Sequence, residues 1–102
     1  MPSTAPLLFS SEEKRLLAFG KRLRLARLRR KLSAEIVAKR SDISRQTLVK
    51  VERGDPSVTF GTYLRVLAIY GLEADFDSVA ADDKLGRTLQ DLALTMSKRI
   101  GK

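Results

Sequence analysis

The chain has 102 residues and a mass of 11.4 kDa, enough for one domain and too little for two. It contains no cysteine and no histidine, which excludes disulfides, thiolate zinc sites, cysteine nucleophiles and the commonest general base, and leaves only carboxylates as metal ligands. The formal charge is +8, and the excess sits in the first half: residues 1–53 hold 14 basic and 5 acidic side chains, residues 54–102 hold 6 and 7, an asymmetry that suits nucleic acid or a membrane surface as partner.

Met1–Ser11 contains Pro2, Pro6 and small polar residues, and reads as a loose arm. It lacks a positive start and a long apolar middle, so no cleavable signal peptide is expected. No apolar run in the chain approaches the length of a transmembrane helix, and a cytoplasmic protein is expected. Ser10-Ser11-Glu12-Glu13 offers a capping box, with Ser10 as N-cap and Glu13 three residues on. A helix over about Glu12–Lys31 is predicted from its Leu, Arg and Lys content, with Gly20 as its one glycine. Leu16, Phe19, Leu23 and Ala26 form one apolar stripe at helical spacing, and Leu25, Leu28 and Leu32 form a second.

Ser33 is predicted to cap a second helix, about Ala34–Ser41, with Glu35 in its first turn and Val37 and Ala38 turned inward. Asp42 ends that helix. Ser44 caps a third, about Arg45–Arg53, whose inner face is Leu48 and Val51, and Gly54 stands where a left-handed residue is wanted. After the loop Asp55-Pro56-Ser57, Thr59 caps a fourth helix that carries Tyr63, Val66, Leu67 and Tyr70 and ends at Gly71. A short helix is expected around Asp75–Ala81, then the polar stretch Ala81-Asp82-Asp83-Lys84. Leu85, Leu89, Leu92 and Met96, spaced 4, 3 and 4, define one more amphipathic helix with the basic end Lys98-Arg99-Ile100-Gly101-Lys102. No strand pattern appears, so the fold class is all-α. The expected organisation is an arm at 1–11, a DNA-binding domain at 12–81 and a C-terminal helix and tail at 82–102.

The functional signal is SAEIVAKRSDISRQTLVKVERG, Ser33–Gly54. Two short helices joined by a turn at Asp42–Ser44, with core positions Val37, Ala38, Ile43, Leu48 and Val51, have helix-turn-helix spacing. The second helix of the pair is the right size for a DNA major groove. With Leu48 and Val51 inside, Arg45, Gln46, Val49 and Lys50 face out. Arg can grip guanine O6 and N7, Gln can grip adenine N6 and N7, and Val can pack on a thymine methyl. Ser44 and Thr47 can reach phosphates, as can the free N–H groups at the helix start. Ser33, at the start of the preceding helix, completes the candidate DNA-binding set.

Blander readings are available for the other features. The run Lys21-Arg22, Arg24, Arg27, Arg29-Arg30-Lys31 reads as a solvated helix face, with Arg30 and Lys31 close enough to the second helix to touch phosphate. The apolar stripes lack Trp and are needed to cover other helices, which argues against membrane binding. Glu12-Glu13 and Asp82-Asp83 sit beside helix ends, where capping and solvation explain them. No nucleophile or phosphate-binding loop accompanies them, so no catalytic residue, metal, cofactor or enzymatic activity is expected. The stripe Leu85–Met96 reads as core, dimer interface or partner-binding surface.

The stretch from Phe19 to Leu72, with ISRQTLVKVERG above all, resembles the phage-repressor-type (XRE, Cro-type) helix-turn-helix family. The resemblance implies a five-helix lambda-repressor-like domain, here with an N-terminal arm and an added C-terminal amphipathic helix. It implies DNA contacts at Ser44, Arg45, Gln46, Thr47 and Lys50, and a partly buried ion pair between Arg27 and Glu52. Two positions depart from the family pattern. Ala34 stands where a backbone-contacting Gln is usual, and Lys31 stands where Gly is favoured, so that turn either differs or is strained. A second, narrower resemblance runs through VERGDPSVTFGTYLRVLAIYGLEADF and ADDKLGRTLQDL, which are similar to HipB-type antitoxins. It implies a homodimeric repressor of its own operon that binds a palindromic operator and holds a HipA-like serine/threonine kinase toxin. A stand-alone regulator of the same family and an interaction adaptor with a vestigial helix-turn-helix are the alternatives.

Overall fold

In a computed structural model of the protein, which describes residues 7–99, all regular structure is helical. The order is α1 (Ser10–Arg29), α2 (Ala34–Arg40), α3 (Arg45–Glu52), α4 (Phe60–Ile69), a 3₁₀ helix (Glu73–Ser78) and α5 (Lys84–Arg99). Most of the expected arm, Met1–Pro6, and the end of the basic tail, Ile100–Lys102, lie outside the described residues.

Side-chain caps set the starts of three helices. Ser33, Ser44 and Thr59 accept from the backbone N–H of Ile36, Thr47 and Thr62 at 3.1, 3.0 and 3.2 Å. The start of α1 differs from expectation. Phe9 is the N-cap, and the Glu12 carboxylate accepts from the Phe9 N–H at 3.0 Å, so Glu12 rather than Glu13 fixes the register and Ser10 is already helical. Asp83 opens α5 by accepting from the Gly86 N–H at 2.9 Å.

The first four helices end in one way. In each, the second residue past the C-cap donates back to the fourth carbonyl before that cap's successor: Leu32 to Arg27, Ile43 to Ala38, Asp55 to Lys50 and Leu72 to Leu67, at 3.0–3.2 Å. This closure needs a left-handed residue just past the cap. Gly54 and Gly71 supply it at φ 69° and 72°, whereas Asp42 and Lys31 adopt it at φ 56° with a side chain in place. Asp tolerates this region. Lys31 does not share that tolerance, so the turn between α1 and α2 keeps the glycine geometry under strain.

Leu23, Ala26, Val37, Ala38, Leu48, Val51, Tyr63, Val66, Leu67 and Tyr70 form the buried core, drawn from all four helices. Leu16, Phe19, Leu32 and Ile43 pack against it. The first stripe of α1 is therefore core. The second is not: Leu25 and Leu28 stay nearly half exposed, and only Leu32 turns in. The expected short helix lies earlier than Asp75–Ala81 and is 3₁₀, since Phe76 alone anchors it, edge-on to Phe19 and Phe60. No described residue of α5 is buried.

Gly20 decides how closely α1 and α3 approach. A Cβ there would sit 2.6 Å from the Gly54 nitrogen, 2.7 Å from the Val51 oxygen and 2.8 Å from the Glu52 oxygen. A Cβ on Gly54 would strike the Leu16 carbonyl in return. The two backbones touch, and neither can yield as a side chain would. Gly20→Ala should therefore reverse the usual propensity effect. An exposed helical Gly→Ala gains about 1 kcal/mol, whereas here a net loss of about 1–3 kcal/mol is expected from overpacking, read as a lower urea midpoint.

The two tyrosines of the chain are both in the core. Tyr63 donates to the Asp55 carbonyl at 2.7 Å, tying α4 to the loop after α3. The Tyr70 hydroxyl is buried without a hydrogen-bond partner among the described residues. Burial, then Asp55, pushes Tyr63 up to about 12. Burial, then Glu52, pushes Tyr70 up to about 12. The folded phenols hold their protons where an unfolded tyrosine, near 10, has lost its own. Their contribution to stability is thus complete below pH 10 and is lost as pH rises from 10 to 12. Because the chain has no Trp, absorbance at 295 nm reads these phenols directly. The native protein should show almost no phenolate at pH 10.5 and the urea-unfolded protein a majority. Matching native and unfolded titrations would contradict the packing described for both rings.

Candidate nucleic-acid interface

α3 packs against both α1 and α2, and α2 against α4. Leu48 and Val51 of α3 are fully buried against this frame. Their burial fixes the rotation of α3 about its axis, and Arg45, Gln46, Val49 and Lys50 all fall on the exposed side. These four residues, at positions i, i+1, i+4 and i+5, share one helical face. Two long cationic side chains and one amide thus flank Val49, which is 39% exposed.

The start of α3 is arranged around Ser44. Its Oγ accepts from the Thr47 N–H, and the Ser44 and Thr47 hydroxyls are 2.9 Å apart. One hydroxyl hydrogen is used between them, which leaves the other to donate outward. The N–H groups of Arg45 and Gln46 have no acceptor inside the helix. Two backbone donors, one hydroxyl and the positive end of the helix dipole therefore converge at one point, an arrangement complementary to a phosphate. Ser33 takes the equivalent place at the start of α2, with its Oγ accepting from Ile36. Ala34 beside it packs against the core, so this chain uses for packing the position where a polar contact was the pattern.

α1 holds this surface from behind. Arg27 Nε donates to Glu52 Oε2 at 2.7 Å, and Nη2 donates to Oε1 at 3.1 Å. Arg27 Nη1 donates to the Leu32 carbonyl at 3.1 Å. One guanidinium thereby joins α1, the turn into α2 and the end of α3. Both side chains are about nine-tenths buried, at 12% and 11% exposure. The Glu52 hydrogen bond raises the Arg27 pKa above its ordinary value against the opposing effect of burial.

Arg30, expected to lie close enough to the second helix to touch phosphate, has partners within the fold. Its guanidinium donates to the Ala26 and Tyr70 carbonyls at 3.0 Å each and lies over the Tyr70 ring. It fastens the end of α4 to α1. Sequence reasoning missed this role, because nothing near Arg30 in the chain marks a carbonyl 40 residues away. The contact of Gly20 with α3 was missed too, although a lone glycine inside a strong helix is a usable signal of close approach. Arg22, for its part, lies over the Phe19 ring.

The model of a helix-turn-helix domain matches residues 18–76, more than half of the chain. The chain belongs to the helix-turn-helix domain family. The matched stretch begins in α1 and ends in the 3₁₀ helix, so it takes in the whole packed core and excludes α5. No curated protein matches the chain. Membership of a helix-turn-helix family supports a DNA-binding regulator. Among the described residues no helix is long and apolar enough to cross a membrane.

The ion pair behind the helix-turn-helix should act on stability and not on base choice. Glu52→Ala leaves a largely buried guanidinium without its carboxylate. The expected loss is about 2–3 kcal/mol, below the range of a fully buried pair because a tenth of each side chain meets solvent. A urea melt that does not change would show the two charges to be independent.

Proposed function

We propose that the protein is a sequence-specific transcriptional repressor that binds a palindromic operator as a dimer, with α3 in the major groove. The observation that carries this reading is the outward face of α3, where Arg45, Gln46, Val49 and Lys50 are exposed while Leu48 and Val51 are buried. Arg45 and Gln46 stand nearest the helix start and are assigned to base edges, Val49 to a thymine methyl and Lys50 to a base or a phosphate. Ser33, Ser44 and Thr47 are assigned to the backbone of the same half-site. A single helix of 8 residues reads few base pairs, so useful specificity requires two half-sites about 34 Å apart. The positive half of the chain coincides with the helices that carry these residues, which favours fast, salt-sensitive association.

Within this reading, the likeness to HipB-type antitoxins supports a narrower role: autorepression of an operon and retention of a HipA-like kinase toxin. A kinase held while the operator is occupied must bind away from α3. The exposed Leu25 and Leu28 on α1 are apolar surface of that kind. The test is whether the product of an adjoining kinase-like gene co-purifies with the protein with and without operator DNA. If no such gene adjoins and nothing co-purifies, the stand-alone regulator takes its place.

DNA reading is tested on its own terms. Operator sequences selected from random duplexes should be palindromic. Arg45→Ala and Gln46→Ala should each weaken the selected site by about 1–3 kcal/mol and relax base preference at one position per half-site. Lys50→Ala, if it loses a phosphate contact, should weaken selected and random duplexes alike and lower the salt slope by about one. Unchanged affinity and preference in both the Arg45 and Gln46 variants would remove α3 as the reader.

A further inference from the structure

α5 is a helix of 16 residues whose apolar side chains have no cover. Leu85, Leu89, Leu92 and Met96 are 69%, 57%, 56% and 59% exposed. Their 4-3-4 spacing is a heptad seam in which Leu85 and Leu92 take the d positions and Leu89 and Met96 the a positions. The residues that flank the seam are Gly86 and Ala93 on one side and Thr88 and Thr95 on the other. All four are small and uncharged. The charges Lys84, Arg87 and Asp91 fall on the outer positions, and Arg87 is taken up there by Asp82 at 2.8 Å.

We propose that α5 pairs in parallel with α5 of a second copy of this chain, along the seam Leu85–Leu89–Leu92–Met96. The seam is self-complementary. Two copies of a chain of charge +8 would repel along most faces, but between Leu85 and Met96 this face brings no charge to meet its own kind; Arg99, which takes the next d position, is the last residue of the helix, where a pair has room to splay. The small flanking residues allow the two helices to approach closely. An apolar groove of about 710 Å³ elsewhere on the molecule, lined by Phe19, Leu25, Phe76 and Val79, is a poorer seat for α5. Its lining carries Arg22, Arg29 and Asp75, charged groups for which the uncharged seam Leu85–Met96 brings no partner.

The parallel orientation follows from the palindromic reading, on which this inference rests. The two shorter dimensions of the molecule are 32 and 22 Å. Parallel helices place both domains at one end of the pair, side by side, which suits half-sites about 34 Å apart. Antiparallel helices would separate the domains by the length of α5, about 24 Å, in addition to a domain's own width. Two heptads form a short seam, so pairing is weak in free solution and is drawn together by adjacent half-sites. DNA thereby completes the dimer.

A chain without cysteine makes the test direct, and α5 suits substitution because none of its described residues is buried. Single variants Leu89→Cys, Leu92→Cys and Leu94→Cys are oxidised mildly, free at high concentration and on a duplex carrying two half-sites. Leu89→Cys and Leu92→Cys should convert largely to covalent dimer, and Leu94→Cys, on the opposite face, should remain monomeric. Cross-linking of all three alike, or of none in either condition, overturns the pairing. A mixture of Leu85→Cys and Met96→Cys chains should give each variant's own dimer; a predominant mixed dimer overturns the parallel orientation. In parallel, Leu92→Asp should lose cooperative filling of two half-sites and keep the affinity of the wild type for one. Undiminished cooperativity in that variant overturns the proposal. Wild-type protein that binds no duplex at all contradicts the operator reading instead, and the cross-linking without DNA still decides whether α5 pairs.

Discussion

The contact on which the rest of the structure depends is the one between the backbones of α1 and α3. Gly20 and Gly54 remove the two Cβ atoms that would hold the helices apart, so main chain meets main chain there. Arg27 and Glu52 then close the same junction with two charge-assisted hydrogen bonds. A glycine contact fixes distance, and a bidentate ion pair fixes direction. Together they leave α3 little freedom to slide or roll. A reading helix requires that rigidity, since a displacement of an ångström moves a guanidinium out of register with a base edge.

The same junction links the two halves of the helix-turn-helix. The third donor of Arg27 goes to the Leu32 carbonyl, in the turn where Lys31 is held at φ 56°. This hydrogen bond helps to hold a strained turn that glycine would occupy without cost. The strain therefore persists because the surrounding structure over-determines it. On the far side, Arg30 binds the carbonyl at the end of α4, so the last turn of α1 carries two arginines with structural tasks in place of a uniformly solvated basic face. The net positive charge that remains for a polyanion is carried by the side chains around them.

Much of this architecture could be read from the sequence, because caps and periodicity are local signals. Ser33, Ser44 and Thr59 each mark a helix start, and Gly54 and Gly71 each mark a helix end. The burial of Leu48 and Val51 followed from spacing alone and oriented the whole outward face of α3. Where the reading failed, the deciding partner was distant in the chain or the local signals competed. Ser10 and Glu13 offered the same capping pattern as Phe9 and Glu12 shifted by one residue, and only the reach of the Glu12 carboxylate separates them. Leu25 and Leu28 have helical spacing too but stay nearly half exposed, because the core beneath α1 is filled by the other stripe. The aromatic anchor at Phe76 holds a 3₁₀ turn over Glu73–Ser78 in place of the short helix expected around Asp75–Ala81. The residues assigned to DNA were legible as a set, since exposure follows from their spacing, whereas their contacts depend on a partner outside the chain.

The central claim is that α3, clamped by α1, presents one face to DNA, and backbone amide shifts in an NMR titration with a selected duplex test it most directly. The account predicts the largest changes at Ser33 and from Ser44 to Lys50, with Gly20, Leu48 and Val51 nearly unmoved. Changes concentrated instead along the exposed basic residues of α1, from Lys21 to Arg29, with α3 silent, would contradict it.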